Sequence, residues 1–173
     1  MKNFLANFAL GLGLYGLSPW LIAGAPPFSY MTLNGTSQVA VAVEDIDRAF
    51  EVYGLDTAKV LNQVTTKLTT GGLGVVSYPE AVSGPGVGLL RVRILTNHDA
   101  HGFYHLSVKL ELRQKIPLGN TAGGFVSEAV WTDAGNAVMM ASEIEKVTAL
   151  VDELIANFIA EYHRQNGTDN ANP

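Results

Sequence analysis

Residues 104–113 alternate strictly between apolar and polar side chains, and this pattern constrains the fold more than any other feature of the chain. The apolar positions are Tyr104, Leu106, Val108, Leu110 and Leu112, and the polar positions are His105, Ser107, Lys109, Glu111 and Arg113. Because successive side chains of a strand point to opposite faces, this period of two predicts a long β-strand with one buried and one polar face.

The preceding segment, LLRVRILT at residues 89–96, has the same alternation, with Leu90, Val92 and Ile94 on the apolar face and Arg91 and Arg93 on the polar one. We expect the two segments to pair as an antiparallel hairpin. If apolar face matches apolar face, paired residue numbers have an even sum, so the connection between the strands has an odd number of residues.

Further segments carry shorter signals. Residues 38–46 alternate valine with alanine and predict a buried first strand, and short strands are predicted at 73–78 and 125–131. Residues 47–54 predict a turn or a short helical piece. Loops are predicted for PEAVSGPGVG (79–88) and PLGNTAGG (117–124), and a turn for TDAGN (132–136).

Two amphipathic helices are predicted. The first begins at the capping residue Asp56 and stops at the Gly71–Gly72 pair, with Val60, Leu61, Val64 and Leu68 as its apolar positions. The second extends from Ser142 to Gln165, with an apolar stripe formed by Ile144, Val147, Val151, Leu154, Ile155, Phe158, Ile159 and Tyr162. The pattern predicts an α+β two-layer sandwich, in which about five mostly antiparallel strands have both helices on one face, plus an N-terminal apolar helix.

The N-terminus has the pattern of an export leader. Lys2 precedes an apolar run from Phe4 to Leu17, and Pro19 and small residues at 23–25 follow it. We expect residues 1–25 to be a signal peptide or an uncleaved membrane anchor through residues 4–25, with the following chain outside the cytoplasm. The predicted organisation continues with a linker (26–37), the sandwich domain (38–166) and a disordered tail (167–173).

Composition excludes several functional classes. The formal charge is −5 and the eleven Lys and Arg residues are scattered, which argues against nucleic-acid binding. The chain has no cysteine, so disulfides and thiolate chemistry are excluded. The Gly-rich segments lack the Lys and Ser/Thr of a phosphate loop, and the acidic cluster Glu44, Asp45 and Asp47 is typical of a strand end. We therefore predict no catalytic residue, no cofactor-binding residue, no cofactor and no enzymatic activity.

The segments VAVAVEDI, YGLDTAKVLNQVTTKL, HLSVKLELRQKIPL, SEAVW and VDELIANFIAEYHRQN, in this order, resemble a family of small exported bacterial proteins that are mostly called hypothetical. The resemblance covers residues 38–166. At the level of the fold, the chain is also similar to the outer-membrane lipopolysaccharide-assembly lipoproteins, although it lacks their lipidated cysteine. The resemblance implies an accessory or binding protein of the cell envelope and implies no catalytic residue.

Two groups of residues are candidate sites. His98, His101 and Asp99 lie together between the hairpin strands and offer ligands for a metal ion, while the alternative interpretation is a solvated turn. The polar faces of the hairpin predict a partner-binding surface, for which the alternative is a solvated face of cross-strand ion pairs. This predicted surface consists of Arg91, Arg93, His105, Lys109, Glu111 and Arg113.

Leader, sandwich and missing catalytic motifs together predict a non-catalytic exported accessory domain. We expect it in the periplasm or on the periplasmic face of the cytoplasmic membrane, docked on a larger envelope or membrane complex. Two alternatives remain: a metal-binding protein or metal-dependent enzyme that uses the turn histidines, and a periplasmic protein that binds a small ligand.

Overall fold

A computed structural model describes residues 33–44, 46–83, 86–117 and 125–167. The fold is α+β, as predicted, and it is built on one five-stranded sheet with the strand order β2-β1-β3-β4-β5. The elements are β1 (Gln38–Val43), a 3-10 helix (Arg48–Tyr53), α1 (Thr57–Thr70), β2 (Gly74–Val76), α2 (Tyr78–Ser83), β3 (Val87–His98), β4 (Tyr104–Pro117), β5 (Phe125–Met139) and α3 (Ile144–Asn166).

The central hairpin has the register that the alternation predicts. β3 and β4 are antiparallel, and the pairs Leu90–Leu112 and Ile94–Val108 match apolar to apolar. The paired numbers have an even sum, and the connection, residues 99–103, has an odd length. A shift of the register by one residue would expose the apolar side chains to solvent, so burial of this face fixes the register.

The sheet is mixed, which corrects the expectation of mostly antiparallel strands. β1 pairs in parallel with β2 on one side and with β3 on the other, while the β3–β4 and β4–β5 pairs are antiparallel. α1 lies between β1 and β2 in the chain, and α2 lies between β2 and β3. Each helix belongs to one parallel crossover, so β1 has a parallel neighbour on both sides. The short segments 38–46 and 73–78 gave no sequence signal for strand direction.

The predicted turn at 132–136 is wrong, because β5 continues through it to Met139. Gly135 pairs with Val108 in the sheet, and a Cβ atom placed on Gly135 would collide with the Leu150 side chain of α3. Asp133 accepts hydrogen bonds from the Ala134 amide (2.8 Å) and from the Asn157 side chain of α3 (2.9 Å). Gly135 and Asp133 are residue types that are common in turns, but here they allow α3 to pack closely on β5.

A short helix replaces part of the predicted loop at 79–88. The Ser77 amide and hydroxyl both donate to the Glu80 carboxylate at 2.7 Å, and α2 begins directly after Ser77. A Ser followed three residues later by Glu is a capping-box pattern, and the intervening proline is tolerated in the first turn of a helix. This signal was present in the sequence and was outweighed by the neighbouring glycines.

One hydrophobic core joins the apolar face of the sheet to α1 and α3. The predicted stripe of α3 supplies Val147, Val151, Leu154, Ile155 and Phe158 as buried residues. Trp131 of β5 packs edge-on against Phe158, with ring centroids 5.0 Å apart. Since α1 and α3 both pack on this face, the polar side chains of β3 and β4 lie on the other side of the sheet.

The N-terminal part of the described chain is tied to the end of the sheet opposite the β3–β4 connection. Leu33 is fully buried, and its amide donates to Gln165 of α3 at 2.6 Å. Thr36 accepts a hydrogen bond from Gln114 near the end of β4. The predicted leader (1–25), most of the linker and the end of the tail lie outside the described residues. Among the described helices, none has the length and apolar character that a membrane crossing requires.

The cap of α1 gives a direct stability test. The Asp56 carboxylate accepts a hydrogen bond from the Lys59 amide at 2.7 Å, and Gly72 adopts a left-handed conformation (φ 82) just after the helix. We expect Asp56→Ala to lower the free energy of unfolding by about 0.5–2 kcal/mol, because it leaves a helix-end amide without its acceptor. Urea denaturation followed by circular dichroism measures this. Asp56→Asn should retain most of the stability, and an equal loss in both variants would contradict the assignment.

Candidate functional site

Five of the six predicted surface residues form one group on the polar face of the sheet. The register pairs Arg91 with Glu111 and Arg93 with Lys109, and Arg113 follows on β4. His105 lies on the same face but nearer the β3–β4 connection, opposite Asn97. The strand alternation alone was sufficient to bring these side chains together.

Glu44 completes this group, and the sequence interpretation missed it. Arg93 donates to both Glu44 oxygens, at 2.7 and 3.0 Å, and Arg91 donates to one of them. The hydrogen bond from Arg93 is the main cause that lowers the pKa of Glu44 below its usual value of 4.5. The signal was available: if Val39, Val41 and Val43 face the core, parity places Glu44 on the arginine face.

Glu111 holds the other half of the group. Lys109 donates to one carboxylate oxygen at 2.9 Å and Arg113 to the other at 2.6 Å. The hydrogen bond from Lys109 is the main cause that lowers the pKa of Glu111. We use the name ion-pair cluster for Glu44, Arg91, Arg93, Lys109, Glu111 and Arg113.

The cluster presents mainly positive charge to solvent. The Glu111 side chain is 15% exposed, whereas its partners Lys109 and Arg113 are 39% and 28% exposed. The carboxylate therefore lies beneath its cations. Five of the chain's eleven Lys and Arg residues, the four of the cluster and Lys115, are on this face, together with the carboxylates Glu44 and Glu111. A chain of net charge −5 thus has one sheet face with a surplus of positive charge.

The partly buried Glu111 carboxylate predicts acid sensitivity. Because the folded-state pKa of Glu111 lies below its unfolded value of about 4.5, its stabilising contribution is present above pH 4.5 and is lost as the pH falls through the lowered pKa. We expect the urea concentration at the unfolding midpoint to decrease as the pH is lowered below 4.5. In Glu111→Gln this decrease should be smaller. Glu153→Gln, on α3, is the matched control, and an equal effect of the control variant would contradict the assignment.

A groove of about 520 Å³ lies beside the cluster, toward the β3–β4 connection. Leu95 and Val138 form its apolar walls and are 56% and 55% exposed. On the polar face of the sheet, the other residues that line it are polar and come from β3, β4 and β5. We use the name hairpin-end groove for the site formed by Leu95, Asn97, His105, Ser107, Asn136 and Val138.

The predicted metal ligands have separate local contacts. His98 is the last residue of β3, and its ring lies 4.9 Å from that of Tyr104. One Asp99 oxygen accepts the amides of His101 (2.8 Å) and Phe103 (3.0 Å), and the other lies 3.2 Å from His105 Nε2. The amide of Phe103 is the main cause that lowers the pKa of Asp99. Asp99 therefore organises the connection between the strands.

Metal binding by His98, His101 and Asp99 stays a prediction. In the described ranges, no set of three or more His, Asp or Glu side chains has the arrangement of a metal site. A second depression, of about 480 Å³, lies between α1 and α3 beside the Lys67–Asp152 ion pair (3.3 Å). It lies between the two helices, whereas the small-ligand alternative expects a pocket between helices and sheet.

No family model matches the sequence, and no curated protein matches it. Several solved structures are similar to the chain, and they include the following two. A minor lipoprotein from Acinetobacter baumannii has 13% identity and a TM-score of 0.35, over 80% of this chain and 98% of that one. A hypothetical protein from Chlamydia trachomatis has 12% identity and a TM-score of 0.41, over 73% of this chain and 98% of that one.

Proposed function

We propose that the chain is a non-catalytic, exported accessory domain that docks on a larger envelope or membrane assembly through the polar face of its sheet. The observation that carries the proposal is the ion-pair cluster, which holds its charged side chains in fixed positions on the face opposite α1 and α3. Side chains that are already ordered lose little rotamer freedom on binding, so such a face is well suited to docking.

The cluster favours docking over a purely structural role because of its charge balance. Each ion pair at a partly exposed position contributes only a little to stability, so the stability of the sheet does not account for a cluster with a surplus of one sign. A surplus of one sign on a single face instead attracts partners of the opposite sign and repels others. The hairpin-end groove adds exposed apolar area next to these charges, and interfaces combine the two.

The leader supports the cellular location. Lys2 followed by the apolar run from Phe4 to Leu17 is typical of export, and a retained leader would hold the domain at the periplasmic face of the cytoplasmic membrane. The proposed site of action is therefore the periplasm or that membrane face.

Cell fractionation followed by native gel electrophoresis tests this function. We expect the natively expressed protein in the periplasmic or membrane fraction, and in a complex larger than its 18.5 kDa monomer. Intact mass measurement of the same sample shows whether residues 1–25 are retained. A native protein that is cytoplasmic, or that migrates as a free monomer in a mild-detergent extract, would contradict the proposal.

A further inference from the structure

The polar sheet face carries a directional pattern that specifies the chemistry of its partner. The apolar walls of the hairpin-end groove, Leu95 and Val138, stand at one end of the face. Along β4 from the groove, the side chains on this face are Lys109, Glu111, Arg113 and Lys115, so three of the four are cations. An apolar site is thus followed by a row of positive charge.

We propose that this face binds an acidic protein segment, with a large apolar side chain in the hairpin-end groove and carboxylates along the cations of β4. The inference deepens the proposed docking function and rests on it, because it names the partner chemistry of that same face. At about 3.4 Å per residue, Lys109 lies roughly 7 Å and Lys115 roughly 27 Å along the strand from Ser107 in the groove.

Charge complementarity selects this occupant. Cations outnumber carboxylates on the face, and Glu111, at 15% exposure, lies beneath Lys109 and Arg113. The Lys115 side chain is exposed, and it makes no hydrogen bond or ion pair with the described part of the chain. An acidic segment therefore meets accessible positive charge without the need to break the ion pairs that order the cluster.

The direction of the bound segment follows from Asp99. This carboxylate lies at the connection end of the groove, 3.2 Å from His105 Nε2. A partner carboxylate placed there would meet a like charge, whereas one placed toward Lys115 would meet cations. The apolar residue of the partner therefore lies at the connection end, and its acidic residues extend toward the end of the domain that holds Leu33.

A labelled peptide tests the inference. The probe is a decapeptide with one leucine followed by glutamates at alternate positions, separated by serines, and its binding to the full chain is measured by fluorescence anisotropy. We expect Leu95→Ser or Val138→Ser to weaken binding about tenfold, as the loss of one apolar contact implies. Lys109→Gln and Lys115→Gln should also weaken it, and added salt should weaken it further.

Matched variants and probes serve as controls. Leu61 is 39% exposed on α1, and Lys67 lies on the same helix, so Leu61→Ser and Lys67→Gln should leave binding unchanged. Equal weakening by these control variants would overturn the inference. Equal binding of a peptide with serine in place of leucine, or lysine in place of glutamate, would overturn it as well.

Other occupants give distinct results. Tighter binding to vesicles of anionic phospholipid than to the peptide would assign the face to a membrane, and a dimer that Leu95→Ser dissociates would assign it to a second copy; both overturn the inference. The native complex separates this inference from the docking function. If that complex persists in Leu95→Ser and Val138→Ser but is lost in Lys109→Gln/Lys115→Gln, docking stands and the groove assignment fails.

Discussion

Phe158→Ala is expected to lower the free energy of unfolding by about 3–5 kcal/mol, the typical cost of removing a buried aromatic ring. Phe158 is fully buried on α3, and its ring packs edge-on against Trp131 of β5. The substitution removes one of the contacts that join α3 to β5 and leaves a cavity between them. Urea denaturation monitored by Trp fluorescence and by circular dichroism measures the loss.

The chain offers a matched control for this substitution. Phe125 is 59% exposed on β5, so Phe125→Ala should change the unfolding free energy by less than about 0.5 kcal/mol. Phe158→Leu, which retains most of the apolar volume, should cost less than Phe158→Ala. A Phe158→Ala variant as stable as the wild-type protein would show that α3 does not pack on β5 as described.

Gly135→Val is expected to destabilise the fold by about 1–3 kcal/mol through overpacking. Any Cβ atom at Gly135 approaches Leu150 of α3 too closely, and valine adds two further methyl groups. A glycine of a turn at 132–136 would also resist valine because of its backbone conformation, but removal of Leu150 would not relieve that cost, so the double variant with Leu150→Ala separates a continuous strand from a turn. Thermal unfolding followed by circular dichroism is a suitable readout.

A second substitution identifies the collision partner. In the Leu150→Ala background, space opens beside Gly135, so Gly135→Val should cost less than it does in the wild-type chain. Gly102, which has no heavy atom within 4 Å of a Cβ position, would not be rescued in this way, because its cost comes from its positive φ of 90. Strict additivity of Gly135→Val and Leu150→Ala would contradict the close packing of α3 on β5.

The sequence predicted those parts of the fold in which a local pattern is also the tertiary pattern. The alternation at 104–113 specified the strand, its buried face, the parity of its register and the grouping of Arg91, Arg93, Lys109 and Glu111. The 3.6-residue stripe of α3 likewise specified its buried residues. In both cases the periodicity places all the apolar side chains on one face of the element, and that face must lie against the core.

The errors arose where a residue type serves tertiary packing. Gly135 and Asp133 belong to a turn by composition, but they occupy a strand because α3 needs space and a hydrogen-bond acceptor there. The parallel pairs of β1 depend on which side of β1 the chain returns, and no local pattern encodes that choice. Glu44 was missed because it was grouped with its acidic neighbours in sequence. The alternation along β1 places it on the same face of the sheet as the arginines of β3.

The most direct test of the docking account compares two variants of equal net charge in the native complex. Lys109→Gln/Lys115→Gln removes two cations from the polar sheet face, and Lys67→Gln/Lys146→Gln removes two from the helices. Circular dichroism first verifies that both variants fold, and native electrophoresis of cell extracts then gives the size of the assembly. We predict that the sheet-face variant migrates as the free protein while the helix variant stays in the complex. Retention of both variants in the complex, or loss of the helix variant alone, would contradict docking through the polar face of the sheet.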